Sequence, residues 1–392
     1  MHSQLPLPLA MLIIFGGAKL GAELCERIGQ PGLVGEIIAG ALIGPSVLGW
    51  VQPNETLKAL SDLGVMFLLF GVGLEVKASE LMRVGAKATL VATLGVIVPF
   101  IAGWAILAAW GSPQIEAVFV GACMVATSVG ITASVLSSRG LLHEIASKVI
   151  LAAAVIDDVL GLIVLAVVSA VARGHLNIWE VVLTAVLACA FTVVMAMWGT
   201  TAVDRLLPHF KSRAKADEAE FHIALVFLFA MALLAQYTGV AAIVGAFLAG
   251  LAFSDSADNR VRDLTRGVSE LLVPFFLVGI GLHFDYKVFL SKSTALLTVV
   301  ILVAAIVTKL IGCGAGAISM GWTNVLKVGL GMVPRGEVGM VVAQMGLTLA
   351  VISKDVYSVV VVMAVLTTVV TPFLLKIAFR SVPLVPAETV VV

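Results

Sequence analysis

The sequence predicts an all-α polytopic membrane protein with thirteen transmembrane helices in two inverted repeats. The first reason is composition: 60% of the 392 residues are hydrophobic and 12% are charged, whereas soluble domains carry about 25% charged residues. The second is a recurrence of apolar runs of about 18 to 28 residues, each long enough to cross a bilayer as a helix. The third is a match between the two halves of the chain. The net charge is zero, so we expect no nucleic-acid partner.

Polar or Gly/Pro-rich breaks divide the apolar sequence into spans that can be numbered and oriented. Cytoplasmic loops are enriched in Lys and Arg, and an outer N-terminus puts 16 of these residues inside and 5 outside. We therefore expect an outer N-terminus and a cytoplasmic C-terminus. The approximate limits of the thirteen predicted spans are 6–25, 32–50, 57–76, 84–110, 115–138, 146–172, 177–203, 221–237, 239–254, 268–284, 293–318, 323–347 and 355–380.

Four short motifs recur in the same order in the two halves, at an offset of 208 or 210 residues. The pairs are VGEIIAG (34–40) with VGAFLAG (244–250), GVGLEV (71–76) with GIGLHF (279–284), VGACMV (120–125) with VGLGMV (328–333), and AVIDD (154–158) with AVLTT (364–368). Matching spans are seven apart, and seven is odd, so the halves should cross the membrane in opposite directions. This inverted repeat is typical of secondary transporters. It predicts a 6+1+6 plan in which span 7 (177–203) is the linker; a duplication kept only for packing is the alternative.

Two adjacent acids, Asp157 and Asp158, are the only charged residues between 149 and 172, within the predicted sixth span. A carboxylate at this depth costs about 2.5–3.5 kcal/mol on insertion scales, so we expect these acids to have a function. Lys309 is similarly isolated in the eleventh span. Pairing offsets part of the cost of burying a lysine and part of the cost of burying an aspartate. The sequence therefore predicts that Lys309 faces Asp157 or Asp158. A purely structural salt bridge is the alternative, although it leaves one acid unexplained.

The second acid indicates a possible chemistry. Neighbouring helical residues point about 100° apart, so one acid can face the lysine while the other faces a water-filled cavity. Burial disfavours the charged form of a carboxylic acid, and small hard cations prefer oxygen ligands. Such an acid could exchange a proton for a monovalent cation. The pattern therefore predicts proton-coupled cation antiport.

Spans 5 and 12 carry a second signal, because both contain helix-weakening residues at equivalent places in the repeat. Interrupted helices free backbone carbonyls and expose helix ends, which can coordinate ions at the midplane. Arg335 and Glu337 are expected first to neutralise each other or to cap the half-helices. The candidate lining residues are Thr127 and Ser128 in span 5, and Pro334, Arg335, Gly336 and Glu337 in span 12.

Other classes fit the sequence less well. Cys25, Cys123, Cys189 and Cys313 are widely spaced without a C-x-x-C or Cys/His cluster, so we expect no cofactor and no resident metal. An intramembrane aspartyl protease would draw its two acids from different helices, so we expect no enzyme. An ion channel would tolerate midplane polar groups, but a buried Asp/Lys pair with two broken helices suits alternating access better.

Four motifs together resemble the cation:proton antiporter-2 family, and specifically its NapA-type bacterial sodium/proton antiporters. The motifs are QPGLVGEIIAGALIGP, ATSVGITA, AVIDDVLGLIVLAVV and VPRGEVG. The resemblance implies a homodimer in the lipid of the bacterial cytoplasmic (inner) membrane, with a core that moves by an elevator-like displacement. Spans 1–3 and 8–10 (about 6–76 and 221–284) would form the dimer scaffold. Spans 4–6 and 11–13 (about 84–172 and 293–380) would form the ion-translocating core.

The resemblance also implies roles for individual residues. Asp158 matches the family's cation- and proton-binding aspartate, and therefore the residue that would hold Na⁺. Asp157 matches the aspartate that pairs with the core lysine, here Lys309. Members with this acidic pair are generally electrogenic and exchange two protons for one cation. The transported ions are expected to be Na⁺ and H⁺, with Li⁺ or K⁺ open; K⁺/H⁺ exchange, or a sodium-coupled organic-anion symporter of similar fold, is the alternative.

Overall fold

The computed structural model describes residues 6–28, 30–172, 178–211 and 218–380. These residues form fifteen α-helices, together with two short 3-10 helices. In chain order the helices are α1 (Leu7–Arg27), α2 (Gly32–Ile43), α3 (Glu55–Glu75), α4 (Ala78–Trp110), α5 (Gln114–Cys123), α6 (Val129–Ser138), α7 (Ile145–Ala172), α8 (Ile178–Lys211), α9 (Ala219–Tyr237), α10 (Ala242–Phe253), α11 (Asn259–Leu282), α12 (Lys292–Gly316), α13 (Trp322–Gly331), α14 (Glu337–Thr348) and α15 (Lys354–Ala378).

The prediction of an all-helical polytopic membrane protein is confirmed. Within the described ranges, nine helices are long and apolar enough to cross a membrane. Four of the predicted spans have a different form. Spans 2 and 9 are the single short helices α2 and α10, and spans 5 and 12 are each divided into two helices of 10 to 12 residues.

Several helices extend further than the apolar runs indicate. α4 begins at Ala78 instead of near residue 84, and α11 begins at Asn259 instead of near residue 268. The predicted linker, 177–203, is α8, which continues to Lys211; residue 177 lies outside the described residues. The reason is physical: charged residues end an apolar run, but the backbone hydrogen bonds of a helix continue through them into the aqueous region.

α2 and α10 are shorter than predicted. α2 ends at Ile43 because Gly44 is followed by Pro45, which cannot continue the helical hydrogen bonding. With 12 residues each, both helices span about 18 Å at 1.5 Å per residue, well under the roughly 30 Å of a hydrocarbon core. Gly239, with φ +84°, supplies the left-handed turn that separates α9 from α10.

The helices pack into two groups. One consists of α1–α3 and α9–α11, and the other of α4, α5, α7 and α12–α15, while α6 and α8 contact both. Glycines allow close approaches inside the first group. A methyl group on Gly40 of α2 would lie 2.2 Å from Val278 O of α11, and one on Gly250 of α10 would lie 2.1 Å from Phe70 O of α3. These backbones touch directly, so the first group is tightly held.

Candidate functional site

Both helix interruptions occur where the sequence predicts them, and they lie against each other. The first separates α5 from α6 at Met124–Ser128, and the second separates α13 from α14 at Met332–Gly336. Pro334 explains the second break, because proline has no N–H to donate. The first break has no proline; there the backbone N–H of Ser128 donates to Pro334 O at 2.8 Å. Each interruption therefore satisfies backbone groups of the other.

Two further contacts hold the crossing together. Thr132 donates its hydroxyl to Gly331 O, the last residue of α13, at 2.7 Å. Gly336 permits the closest approach, because a methyl group there would lie 2.5 Å from Ser128 Oγ. A side chain at position 336 would therefore displace the side chain of Ser128.

The structure brings Lys309 of α12 to Asp157 of α7. Lys309 Nζ lies 3.2 Å from Asp157 Oδ1 and 3.4 Å from Oδ2, and both side chains are fully buried. The two residues are 152 positions apart in sequence, so the pair joins the two halves of the chain. In this environment the attraction between the charges must offset a desolvation penalty of several kcal/mol for each ion.

Asp158 follows Asp157 on α7 and is 7% exposed. Its side chain leaves the helix about 100° around the axis from that of Asp157. Gly161 lies one turn further along and approaches the first interruption, since a methyl group there would be 4.0 Å from Val125 Cγ1. This contact brings the acidic turn of α7 to the break between α5 and α6.

Thr127 and Ser128 form the lining of that break. Their side chains are 4% and 3% exposed, and within the described part of the chain neither hydroxyl oxygen has a hydrogen-bond partner. Buried hydroxyl groups normally find a partner. Hydroxyl oxygens are suitable ligands for a hard cation, so the chemistry of this break is compatible with an ion site.

Arg335 belongs to the second interruption, and its side chain donates hydrogen bonds to backbone carbonyls of the first. Its fully buried guanidinium donates from Nη1 to Val125 O at 2.9 Å and to Ala126 O at 3.0 Å, and from Nη2 to Ala305 O at 3.4 Å. Val125 and Ala126 lie just beyond Met124, the C-cap of α5, so their carbonyls belong to the interrupted segment and have no partner within a helix. Arg335 therefore acts as a helix cap, one of its two expected roles. The side chain of Glu337 lies outside the described residues.

Sequence reasoning missed Gly95, on α4, which makes room for the lysine. A methyl group on Gly95 would lie 2.5 Å from Cys313 Sγ and 3.4 Å from Lys309 Nζ. Cys313 is one turn beyond Lys309 on α12 and fully buried. A glycine in an apolar helix has many possible reasons, so only the packing of α4 against α12 reveals this one.

Gly95→Ala is expected to destabilise the protein by about 1–3 kcal/mol, because the added methyl overpacks the space beside Cys313 and Lys309. Adding Cys313→Ala to Gly95→Ala removes the nearest atom, so the double variant should regain most of the lost stability. Gly85→Ala is the control on the same helix: a methyl there has nothing within 4 Å, and helix propensity favours alanine by up to about 1 kcal/mol. Melting temperatures in detergent measure all four proteins. Equal melting of the Gly95→Ala and Gly85→Ala variants would contradict the assignment.

Two interrupted helices crossing beside a buried lysine–carboxylate pair define a class of protein, the secondary transporters of small ions. The chain belongs to the sodium/hydrogen exchanger family: the family described as "Sodium/hydrogen exchanger, transmembrane" matches residues 10–380. This membership confirms the resemblance carried by the sequence motifs.

Relatives of similar length support the same conclusion. The chain is 34% identical to the Na⁺/H⁺-K⁺ antiporter GerN of Bacillus cereus, over 94% of this chain and 95% of that one. It is 31% identical to the high-affinity Na⁺/H⁺ antiporter NhaS3 of Synechocystis, over 95% and 90%. The solved structure of the sodium proton antiporter MjNhaP1 from Methanocaldococcus jannaschii shares the fold, with a TM-score of 0.74 at 17% identity over 96% and 97% of the two chains.

Proposed function

We propose that this chain exchanges a monovalent cation, Na⁺ first among them, for protons across the bacterial cytoplasmic membrane. The observation that carries the proposal is the arrangement of Asp157, Asp158 and Lys309 beside two crossing helix breaks. The family membership and the antiporter relatives support it. Potassium is the second candidate, because the name of GerN includes K⁺ as well as Na⁺.

Asp158 is the proposed site at which cation and proton compete. As a carboxylate it would bind the cation together with the hydroxyl oxygens of Thr127 and Ser128, which are buried and available as ligands. When the site faces the more acidic side, a proton replaces the cation on the carboxylate. Because one group cannot hold both, loading one ion requires release of the other, and that competition couples the two fluxes.

The pair formed by Asp157 and Lys309 is the proposed second proton carrier. Cation binding at Asp158 adds a positive charge beside the buried pair, which favours release of a proton from Lys309. Two protons would then move for each cation, and the cycle would be electrogenic. A net charge moved per cycle couples exchange to the membrane potential by about 2.3 kcal/mol per 100 mV.

The proposed architecture is thirteen spans in a 6+1+6 inverted repeat, with the N-terminus outside. Its support is a pair of swapped contacts. Gly40 of α2 meets α11, and Gly250 of α10 meets α3; Gly40 and Gly250 are matching residues of the repeated motifs. Each half thus contributes the short helix to one contact and the long helix to the other, as a pseudo-two-fold axis requires.

The first helix group is proposed as the scaffold of a homodimer and the second as the mobile core. Where the groups meet, Ile131 of α6 and Val365 of the second group pack in one apolar cluster with Ile37, Val65 and Phe276 of the first group. An apolar boundary suits an elevator-like displacement, since sliding breaks no directional bonds there. The contacts of α8 with both groups fit its proposed role as linker.

Purified protein in proteoliposomes tests the function. A pH gradient with an acidic interior is imposed, Na⁺, Li⁺ or K⁺ is added to the outer medium in turn, and a pH-sensitive dye reports proton movement. We expect saturable, cation-dependent collapse of the gradient with Na⁺, driven also in reverse by an imposed Na⁺ gradient. Collapse without saturation would indicate a channel, and no response to any of the three cations would refute the proposal.

A further inference from the structure

Two threonines on α15 occupy the positions that match the acidic pair in the repeat. Thr367 and Thr368 align with Asp157 and Asp158, and both are fully buried. A threonine hydroxyl in a helix commonly bonds a carbonyl of the preceding turn. Both residues do so here, to Ala364 O at 2.9 Å, but each also makes a contact outside its own helix.

The contacts outside the helix converge on one residue of the second interruption. Thr367 Oγ1 accepts a hydrogen bond from Arg335 N at 3.1 Å, and Thr368 Oγ1 lies at donor distance, 2.9 Å, from Arg335 O. Thr368 has one hydroxyl proton, which it shares between Arg335 O and Ala364 O. The backbone N–H and C=O of Arg335 are freed by the break, and the threonine pair satisfies both.

The side chain of Arg335 leads from this fixed peptide to the first interruption. It ends on Val125 O and Ala126 O, and the next two residues of the chain are Thr127 and Ser128. A short series of polar contacts therefore connects the threonine pair to the proposed cation ligands. A shift of the Arg335 peptide would move its guanidinium and with it the carbonyls that hold the break.

We propose that Thr367 and Thr368 are positioning residues that fix Arg335 and thereby set the geometry of the cation site. The two halves use the same pair of helix positions differently: one places carboxylates there to carry charge, and the other places hydroxyls there to hold backbone. This inference rests on the proposed cation exchange at Asp158. It assigns the threonines an effect on cation affinity, not merely on folding.

Thr367→Val and Thr368→Val test the inference, because valine keeps the shape and removes the hydroxyl. Thr371→Val is the matched control: Thr371 is equally buried on the same helix, and its hydroxyl bonds Thr367 O within that helix at 2.7 Å. Loss of a hydrogen bond of about 1 to 1.5 kcal/mol corresponds to about a tenfold change in affinity. We therefore expect KM for Na⁺ to rise about tenfold in the first two variants and to stay at the wild-type value in Thr371→Val.

A second readout is stabilisation by Na⁺ in detergent, measured as the rise in melting temperature with added salt. All three valine variants should melt somewhat lower without Na⁺, but only Thr367→Val and Thr368→Val should lose part of the Na⁺-dependent rise. Thr368→Ser keeps the hydroxyl, so this variant should retain the full Na⁺-dependent rise in melting temperature. Choline chloride controls for ionic strength.

The outcomes separate the two proposals. A wild-type protein that neither exchanges nor is stabilised by any of the three cations would overturn the proposed function and this inference with it. A responsive wild type whose KM is unchanged in Thr367→Val and Thr368→Val, or raised equally in Thr371→Val, would overturn the inference alone.

Discussion

Asp158→Asn is expected to reduce cation-dependent proton exchange to the background of protein-free liposomes. Asparagine has nearly the same shape as aspartate, so the helix and the crossing should remain intact. The amide can neither release a proton at physiological pH nor neutralise a bound cation, so both halves of the exchange fail together. Dye-reported collapse of an imposed pH gradient in proteoliposomes, with Na⁺ in the outer medium, measures the effect.

Glu36→Gln is the matched control for that experiment. Glu36 is also a buried membrane acid, 6% exposed, but it lies on α2 and pairs with Lys19 of α1 at 3.2 Å. Removing its charge should leave exchange largely intact, since α1 and α2 lie in the proposed scaffold. Full exchange by Asp158→Asn, or equal loss in both variants, would contradict the assignment of Asp158 as the site.

The charged residues of the candidate site are recognisable in the sequence because they are expensive in a membrane. Asp157, Asp158 and Lys309 each interrupt an otherwise apolar run, and a chain retains such residues only for a reason. The helix interruption at Pro334 can likewise be predicted from the sequence, since proline cannot continue a helix. Each of these signals is local, so no knowledge of the fold is needed to find it.

The residues that support the site could not be found in this way. Gly95 and Thr367 are ordinary components of membrane helices, and their roles depend on which helix packs beside them. The capping role of Arg335 was foreseen in kind, but its carbonyl acceptors lie 30 to 210 positions away. The pairing of Lys19 with Glu36 likewise requires the packing of α1 on α2. Tertiary contacts of this kind leave no trace in hydropathy or spacing.

Hydropathy also misplaced helix ends, for a related reason. It records where lipid begins, whereas a helix ends where its hydrogen bonds stop. α11 therefore starts among charged residues at Asn259, and α2 stops at Ile43 inside an apolar run. α10 is also shorter than its apolar run, because it begins only at Ala242, after the turn at Gly239.

Lys309→Met is expected to be the most destabilising single substitution at the site, at about 3–5 kcal/mol, because it leaves the Asp157 carboxylate buried and unpaired by lysine. Methionine retains the length of the side chain, so the loss of stability reports the missing charge and not a missing volume. Asp157→Asn combined with Lys309→Met removes both charges and should recover most of the stability. Melting temperatures of the two single variants and the double variant form a double-mutant cycle.

The same variants separate the pair's structural role from its proposed transport role. If Asp157 and Lys309 carry the second proton, the stable double variant should still exchange cations through Asp158, but one for one. An imposed potential of 100 mV, worth about 2.3 kcal/mol per charge, should then accelerate exchange by the wild type and leave the double variant unaffected. Potential-dependent exchange by the double variant would assign the pair to structure alone and the coupling charge to another residue. Equal stability of Lys309→Met and the double variant would mean that Asp157 does not depend on the lysine for its burial.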